Sequence, residues 1–248
     1  MSRHIKDITL TDKRRLRELK TREKAFFDIA FLKAMEPEAR SPCIDLLEHS
    51  NAHLRQDILA AAMTGFKRGG FFIEYGATNG VELNNTLMLE NELGWTGILA
   101  EPARMWHSDL KANRHCTIET RCVWRASGET LRFTEAPRGE NSGISSYVST
   151  TRKLRGNSYD VTTISLNDLL AELNAPDVVD YMSVDTEGSE FEILNAVDWD
   201  RWSFRVMTVE HNHAPQRADI YALLTSKGYR RVFEDISNFD DWYLGPAS

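Results

Sequence analysis

From residue 71 to the end, short apolar runs of β-type residues alternate with segments of helix length. This alternation restricts the chain more than any other feature, because strands separated by helices pair in parallel and take helices on both sheet faces. Strands are expected at residues 71–75, 96–100, 116–123, 178–184 and 204–209. Helices are expected between and after them, at 81–93, 105–113, 166–173, 191–197 and 217–227. Two final strands, at 229–233 and 242–244, are joined by a short polar stretch without a helix and predict an antiparallel hairpin at one edge. The fold class is therefore α/β, with a mostly parallel seven-stranded sheet.

The first 50 residues read as an N-terminal helical appendage, and 51–248 as the α/β domain. A helix is expected over 4–35, where Leu16, Leu19, Phe26, Phe27, Phe31 and Leu32 give an imperfect apolar stripe that ends before Pro37 and Pro42. A second is expected over 54–66, closed by the basic and glycine residues at 67–70. Residues 134–160 interrupt the alternation with a turn-rich stretch followed by Arg152, Lys153 and Arg155, and suit either a binding loop or a surface insertion. Within the net charge of −7, residues 13–24 hold Lys13, Arg14, Arg15, Arg17, Lys20, Arg22 and Lys24 against Glu18 and Glu23. That window is +5 and leaves −12 elsewhere, so peripheral contact with an anionic surface is conceivable beside a plain solvated helix face. The acidic balance and the lack of aromatic base-reading motifs argue against nucleic acid as a partner. Cys43, Cys116 and Cys122 form neither an even set nor a CxxC pair, and with no apolar run of membrane length or secretory leader, a cytoplasmic location is expected.

The stretch from Phe72 to Gly80 runs from a strand through a glycine turn into a helix, and Gly76 and Gly80 let backbone approach a ligand closely. Its Gly-x-x-x-Gly spacing is not the dinucleotide fingerprint. Glu74 lies two residues before the turn, and no Lys or Arg occurs from Phe71 to Gly94. A pyrophosphate would be repelled there, whereas the cationic sulfonium and ammonium of S-adenosylmethionine would not. Glu101, 25 residues beyond Gly76 at the next strand end, can accept both hydroxyls of a ribose.

These segments occur in order with Asn51, Gln56-Asp57, Asn85-Thr86, Leu89-Glu90, Gly94-Trp95, Gly97, Glu101-Pro102, Asp185-Thr-Glu-Gly-Ser-Glu190 and Val209-Glu210. The set resembles the FkbM-type methyltransferases from about Asn51 to Leu244. The resemblance implies a Rossmann-like class I methyltransferase, S-adenosyl-L-methionine as cofactor, and O-methylation of sugars or natural products. Cofactor contacts are expected from Glu74, Gly76, Ala77, Thr78, Asn79, Gly80, Asn85, Glu101, Pro102 and Asp185. Many members carry Asp where this chain has Asn79.

Ligands of open α/β sheets sit beyond the carboxyl ends of the strands, so catalytic groups are sought after the fourth and fifth strands. Asp185 and Glu187 follow one and His211 follows the other; His211 or Asp185 is expected to take the proton of a hydroxyl acceptor. A divalent metal held by Asp185, Glu187, Glu210 and His211 is a less favoured alternative. The expected acceptor is a sugar hydroxyl of a surface glycan or its precursor. A small secondary metabolite is the alternative acceptor, and a nucleic-acid-binding module with a decayed cofactor site is the alternative class.

Overall fold

The computed structural model describes residues 10–148 and 155–246. Residues 4–9 of the expected first helix, and Arg152 and Lys153, lie outside them, as do the side chains of Lys13, Arg14, Leu16, Arg17 and Lys20. Three helices precede the first strand: α1 (Leu10–Ala34), α2 (Pro37–Leu46) and α3 (Gln56–Met63). Pro37 does not merely end the first; it starts α2, where its missing N–H costs nothing.

Then come β1 (Phe71–Tyr75), α4 (Leu87–Leu93), β2 (Thr96–Ala100), a short 3₁₀ turn, α5 (His107–Asn113) and β3 (Thr117–Glu119). The remainder comprises β4 (Cys122–Trp124), β5 (Thr130–Glu135), β6 (Gly143–Ile144), β7 (Asn157–Ser165), α6 (Leu166–Glu172), β8 (Val178–Val184), α7 (Glu190–Asn195), β9 (Ser203–Glu210), α8 (Arg217–Ser226), β10 (Arg230–Val232) and β11 (Asp240–Leu244).

Seven strands form the main sheet in the order β10-β11-β9-β8-β1-β2-β3. The inner pairs are parallel, while β11 runs antiparallel to both β9 and β10. The expected hairpin is present, but the last strand inserts between β9 and β10 instead of lying outermost. Chain order reverses between β1 and β8, and this crevice is where such sheets bind ligands.

Strand alternation divides the core into two layers. Ile73, Tyr75, Met182, Val184 and Met207 face Leu169, Ile193 and Leu224 of α6, α7 and α8. On the other face Phe72, Leu99, Tyr181, Val206 and Trp242 meet Ile58, Leu89 and Leu110 of α3, α4 and α5. Phe31, Met35 and Cys43 join this second layer, so the end of α1 and α2 are anchored in it; Phe31 meets the Trp242 ring edge-on at 6.4 Å.

Three local expectations need correction. Residues 116–123 are not one strand: the Arg121 N–H and guanidinium both bind the Glu119 carboxylate, bending the chain between β3 and β4. β4 joins a separate sheet of order β4-β7-β5-β6. Within 134–160, β5 and β7 pair antiparallel from Thr130–Thr162 to Glu135–Asn157, so the irregular excursion is shorter than expected. The helix expected from residue 81 starts at Leu87, because Leu83 has φ 54° and Asn84 Oδ1 accepts from the Thr86 and Leu87 N–H groups.

Candidate active site

At the carboxyl end of β1 the chain turns through Gly76 at φ 75°, and a Cβ there would meet the Asp185 carbonyl oxygen at 2.3 Å. The turn and the strand-end loop after β8 therefore touch at the switch point, and glycine is required on both steric and conformational grounds. A cavity opens beside them. Tyr75, Gly76, Thr78, Ala100, Glu101, Pro102, Cys122, Val123, Phe133 and Asp185 line it, together with Gly139, Glu140, Ser142, Gly143 and Ile144 of the excursion between β5 and β7. Sequence reasoning missed these excursion residues. Their turn-rich composition marks a loop but gives no sign that it folds back over this crevice.

Glu101 is buried at the end of β2, with one oxygen accepting from Thr78 N–H and the other from Ala103 N–H, each at 2.8 Å. Burial pushes its carboxyl up to about 7 against the pull of those two donors. The pair of N–H bonds fixes the carboxylate plane and leaves each oxygen a further lone pair to accept with.

Of the expected cofactor residues, Gly76, Thr78, Glu101, Pro102 and Asp185 meet in this cavity. Glu74, Ala77, Asn79 and Gly80 line neither it nor its neighbour. Glu74 is buried under the turn, accepting from Asn85 N–H at 2.8 Å and Thr86 Oγ at 2.5 Å, with the Arg114 cation nearby. It anchors residues 85 and 86. Asn79 Oδ1 accepts from the Val81 and Glu82 N–H groups, so its amide closes a turn, a task an aspartate would perform equally. Gly80, at φ 78°, makes room for Arg114 and Leu110, and Ala77 is packed in the core.

A second, polar cavity adjoins the first, and Leu83, Glu140 and Asp185 line both. Its walls carry Gln56, Asn85, Asn141, Ser183, Asp185, Glu187, Thr208, Glu210, Asn212 and Asp240, with His53 and Phe239 as aromatic members and, among the described residues, no Lys or Arg. Asn85 donates to Ser183 Oγ at 2.9 Å, while its buried Oδ1 has no hydrogen-bond partner among the described residues. Gln56 donates to Asp240 at 2.8 Å.

The Asp185 and Glu210 carboxyls hydrogen bond to each other. Burial pushes both up, Asp185 strongly with Glu210 adding to the rise, and Glu210 to about 8 with Glu187 adding to it, while the hydrogen bond from Asp185 pulls Glu210 the other way. Asp240 is raised to about 7, chiefly by burial. Glu187 stands at φ 60° beside Gly188 and also faces this cavity. Glu190 instead ties the turn together, accepting from Thr186 and Gly188 N–H groups at 3.0 Å.

His211, expected as a base, lines neither cavity. Thr208 and Glu210 point into the polar cavity, and by strand alternation the next residue turns away. Its Nδ1 lies 2.9 Å from His213 N–H, its Nε2 is buried 3.8 Å from Asp241, and burial lowers its pKa. Among the described residues, no three His, Cys, Asp or Glu side chains are grouped to hold a metal ion.

A family model described as the methyltransferase FkbM domain matches residues 74–231. No curated protein matches the chain. Among solved structures, the chain is similar to precorrin-6Y C5,15-methyltransferase from Geobacter metallireducens GS-15, at 12% identity, 71% coverage of both chains and a TM-score of 0.41. The C-terminal domain of precorrin-6Y C5,15-methyltransferase from Rhodobacter capsulatus matches at 13% identity over 72% of this chain and 74% of that one, with a TM-score of 0.38. A human methyltransferase 10 domain containing protein matches at 12% identity over 84% and 96%, with a TM-score of 0.37. Likeness this distant bears on no residue's role.

Proposed function

The chain belongs to the FkbM methyltransferase family and is an S-adenosylmethionine-dependent methyltransferase, and from that premise we propose that it methylates a hydroxyl oxygen of a sugar. Its sheet has the Rossmann-like form, with a mostly parallel order and one antiparallel insertion. S-adenosylmethionine supplies a methyl carbon on a cationic sulfur, already activated for displacement.

The first cavity fits the nucleoside end of that cofactor. Pro102, Val123, Phe133 and Ile144 offer apolar surface, Glu101 offers two oriented oxygens to a ribose, and among the described residues no Lys or Arg lines it to attract a phosphate. Asp185, shared by both cavities, marks the boundary where transfer would occur.

The observation that carries the sugar reading is the lining of the second cavity. Carboxylates, amides and hydroxyls surround it, His53 and Phe239 (ring centroids 5.1 Å apart) add an aromatic pair, and among the described residues no Lys or Arg lines it. That set suits a neutral polyhydroxyl ligand better than a phosphorylated or flat aromatic one. Asn85 Oδ1, without a partner among the described residues, supports a hydroxyl donor from the acceptor at that point. The Asp185–Glu210 pair orients the reacting hydroxyl and takes its proton as the oxygen attacks.

The test is transfer of isotope-labelled methyl from the cofactor to a panel of glycosides, with the product linkage read by mass spectrometry. A methyl ether on a sugar is expected. Glu210→Gln should lower turnover by about 10²–10⁴-fold, the usual worth of a general base, while leaving calorimetric cofactor affinity within a few fold. Labelling confined to nitrogen, carbon or a phenol would overturn the acceptor assignment.

A further inference from the structure

Along α1, Arg15, Leu19, Arg22, Phe26, Ile29 and Lys33 are all exposed. Their alternating spacing of four and three residues places them in one row on the helix. At 1.5 Å per residue the row is about 27 Å long. Its apolar members are unusually bare: Leu19 is 53%, Phe26 74% and Ile29 56% exposed. Single exposed apolar side chains are ordinary, but three aligned on one helix face and interleaved with cations are not. The same helix carries the +5 window at residues 13–24 of a chain otherwise at −12.

We propose that this row lays α1 on an anionic lipid surface, with Leu19, Phe26 and Ile29 entering the headgroup region and Arg15, Arg22 and Lys33 meeting lipid phosphates. A bilayer interface accommodates both components at once, apolar side chains among the headgroups and cations at the lipid phosphates. Pairing with a second copy would set like charges together, Arg22 on Arg22 in a parallel pair or Arg15 on Lys33 in an antiparallel one. Nucleic acid would meet the cations but would leave Phe26 and Ile29 against phosphate. Acidic groups more than about 8 Å from the row are screened at physiological salt.

The inner side of the same helix links this surface to the site. Glu23, Lys24 and Phe27 wall a third cavity with His53 and Leu83, and these last two also line the polar cavity. Resting on the sugar-hydroxyl reading, this arrangement favours an acceptor glycan tethered to lipid, presented beside the helix that docks.

Cosedimentation of the full chain with vesicles tests the docking. Vesicles of phosphatidylcholine alone are compared with vesicles containing about 30 mol% phosphatidylglycerol, at low and physiological salt. Binding to the anionic vesicles, weak binding to the neutral ones and a decline with salt are expected. Phe26→Ser should lower partitioning by about tenfold, and Arg15→Glu with Arg22→Glu by more, at about fivefold per cation removed. Calorimetric cofactor binding and methyl transfer to a soluble acceptor should be unchanged in both variants. Absence of anionic-vesicle binding, or binding indifferent to these substitutions, would overturn the proposal. So would substitutions that abolish a concentration-dependent dimer in ultracentrifugation, or a shift with duplex oligonucleotide, in place of vesicle binding. Vesicle binding is read without turnover, so failure of the sugar assignment leaves it standing, and its own failure leaves that assignment intact.

Discussion

Glu210 sits at the end of β9 with its carboxyl raised to about 8 by burial and by the acids around it, and with Asp185 as hydrogen-bond partner. A carboxylate in that state is a stronger base than one in water, but it is ionised only once the pH has risen through its own value. If this pair accepts the acceptor's proton, kcat/KM should climb with pH through the neutral range and level off above about 8. Glu210→Gln should remove that limb together with most of the rate. A profile already flat from about pH 6 upward would reject Glu210 as the base. Glycine at position 76 is fixed by different physics: a positive φ and a carbonyl oxygen 2.3 Å from the missing Cβ exclude any side chain. The placement of Gly76, Glu101 and Asp185 was legible in the sequence because each immediately follows a strongly apolar strand. The inward turn of Glu210 and the outward turn of His211 were not legible, since alternation assigns faces only once the end of the strand is known.

The loop at 81–86 and the helix α4 after it show how a buried ion pair network shapes an element. Arg114, at the end of α5, is buried and donates to Glu90 Oε2 at 2.7 Å, Asn84 Oδ1 at 2.8 Å and Thr86 Oγ at 3.0 Å. Its charge also lowers the cost of burying Glu74, which in turn holds Asn85 and Thr86. Removing the cation leaves two carboxylates short of a partner, so Arg114→Met should cost about 3–5 kcal/mol in urea unfolding. Adding Glu74→Gln to that variant should cost less than it does in the wild-type background, because the carboxylate it removes is by then unpaired. Strict additivity of the two substitutions would refute the coupling. None of this network is legible in the sequence, since its members are scattered over residues 74–114 and the apolar pattern at 81–93 fits a helix throughout. The same limit hid the second sheet: β5 and β7 are separated by more than 20 residues, and β4 is parted from β3 by the two-residue bend at Thr120 and Arg121. The parallel core was legible because each of its strands is apolar on both faces.

Over the whole molecule, acids collect at the carboxyl edge of the sheet, and their burial sets how stability depends on pH. Asp57 is raised to about 6, Glu101 and Asp240 to about 7, and Glu210 to about 8, each chiefly by burial. In the unfolded chain all four would ionise near 4. Between 4 and these raised values the folded state therefore binds more protons than the unfolded one, and stability falls as pH rises. Asp241, Glu90, Glu119 and Asp168 are lowered and act the other way, but their contribution is lost only as pH drops below about 4, outside this window. His211, held neutral by burial, opposes the trend between its lowered value and 6.5, one group against four. A tenfold difference in proton affinity between the folded and unfolded chain is worth about 1.4 kcal/mol, and at this chain length one kcal/mol moves Tm by about 2–4 °C. The protein without cofactor should therefore melt about 5 °C or more lower at pH 8.5 than at pH 5, by calorimetry or circular dichroism at constant ionic strength. Asp240→Asn should flatten the slope, since an amide keeps the Gln56 contact without an ionisation. A Tm that is constant or rises across that interval would mean that these carboxyls are hydrated in solution, which would weaken the case for a raised Glu210 as the base.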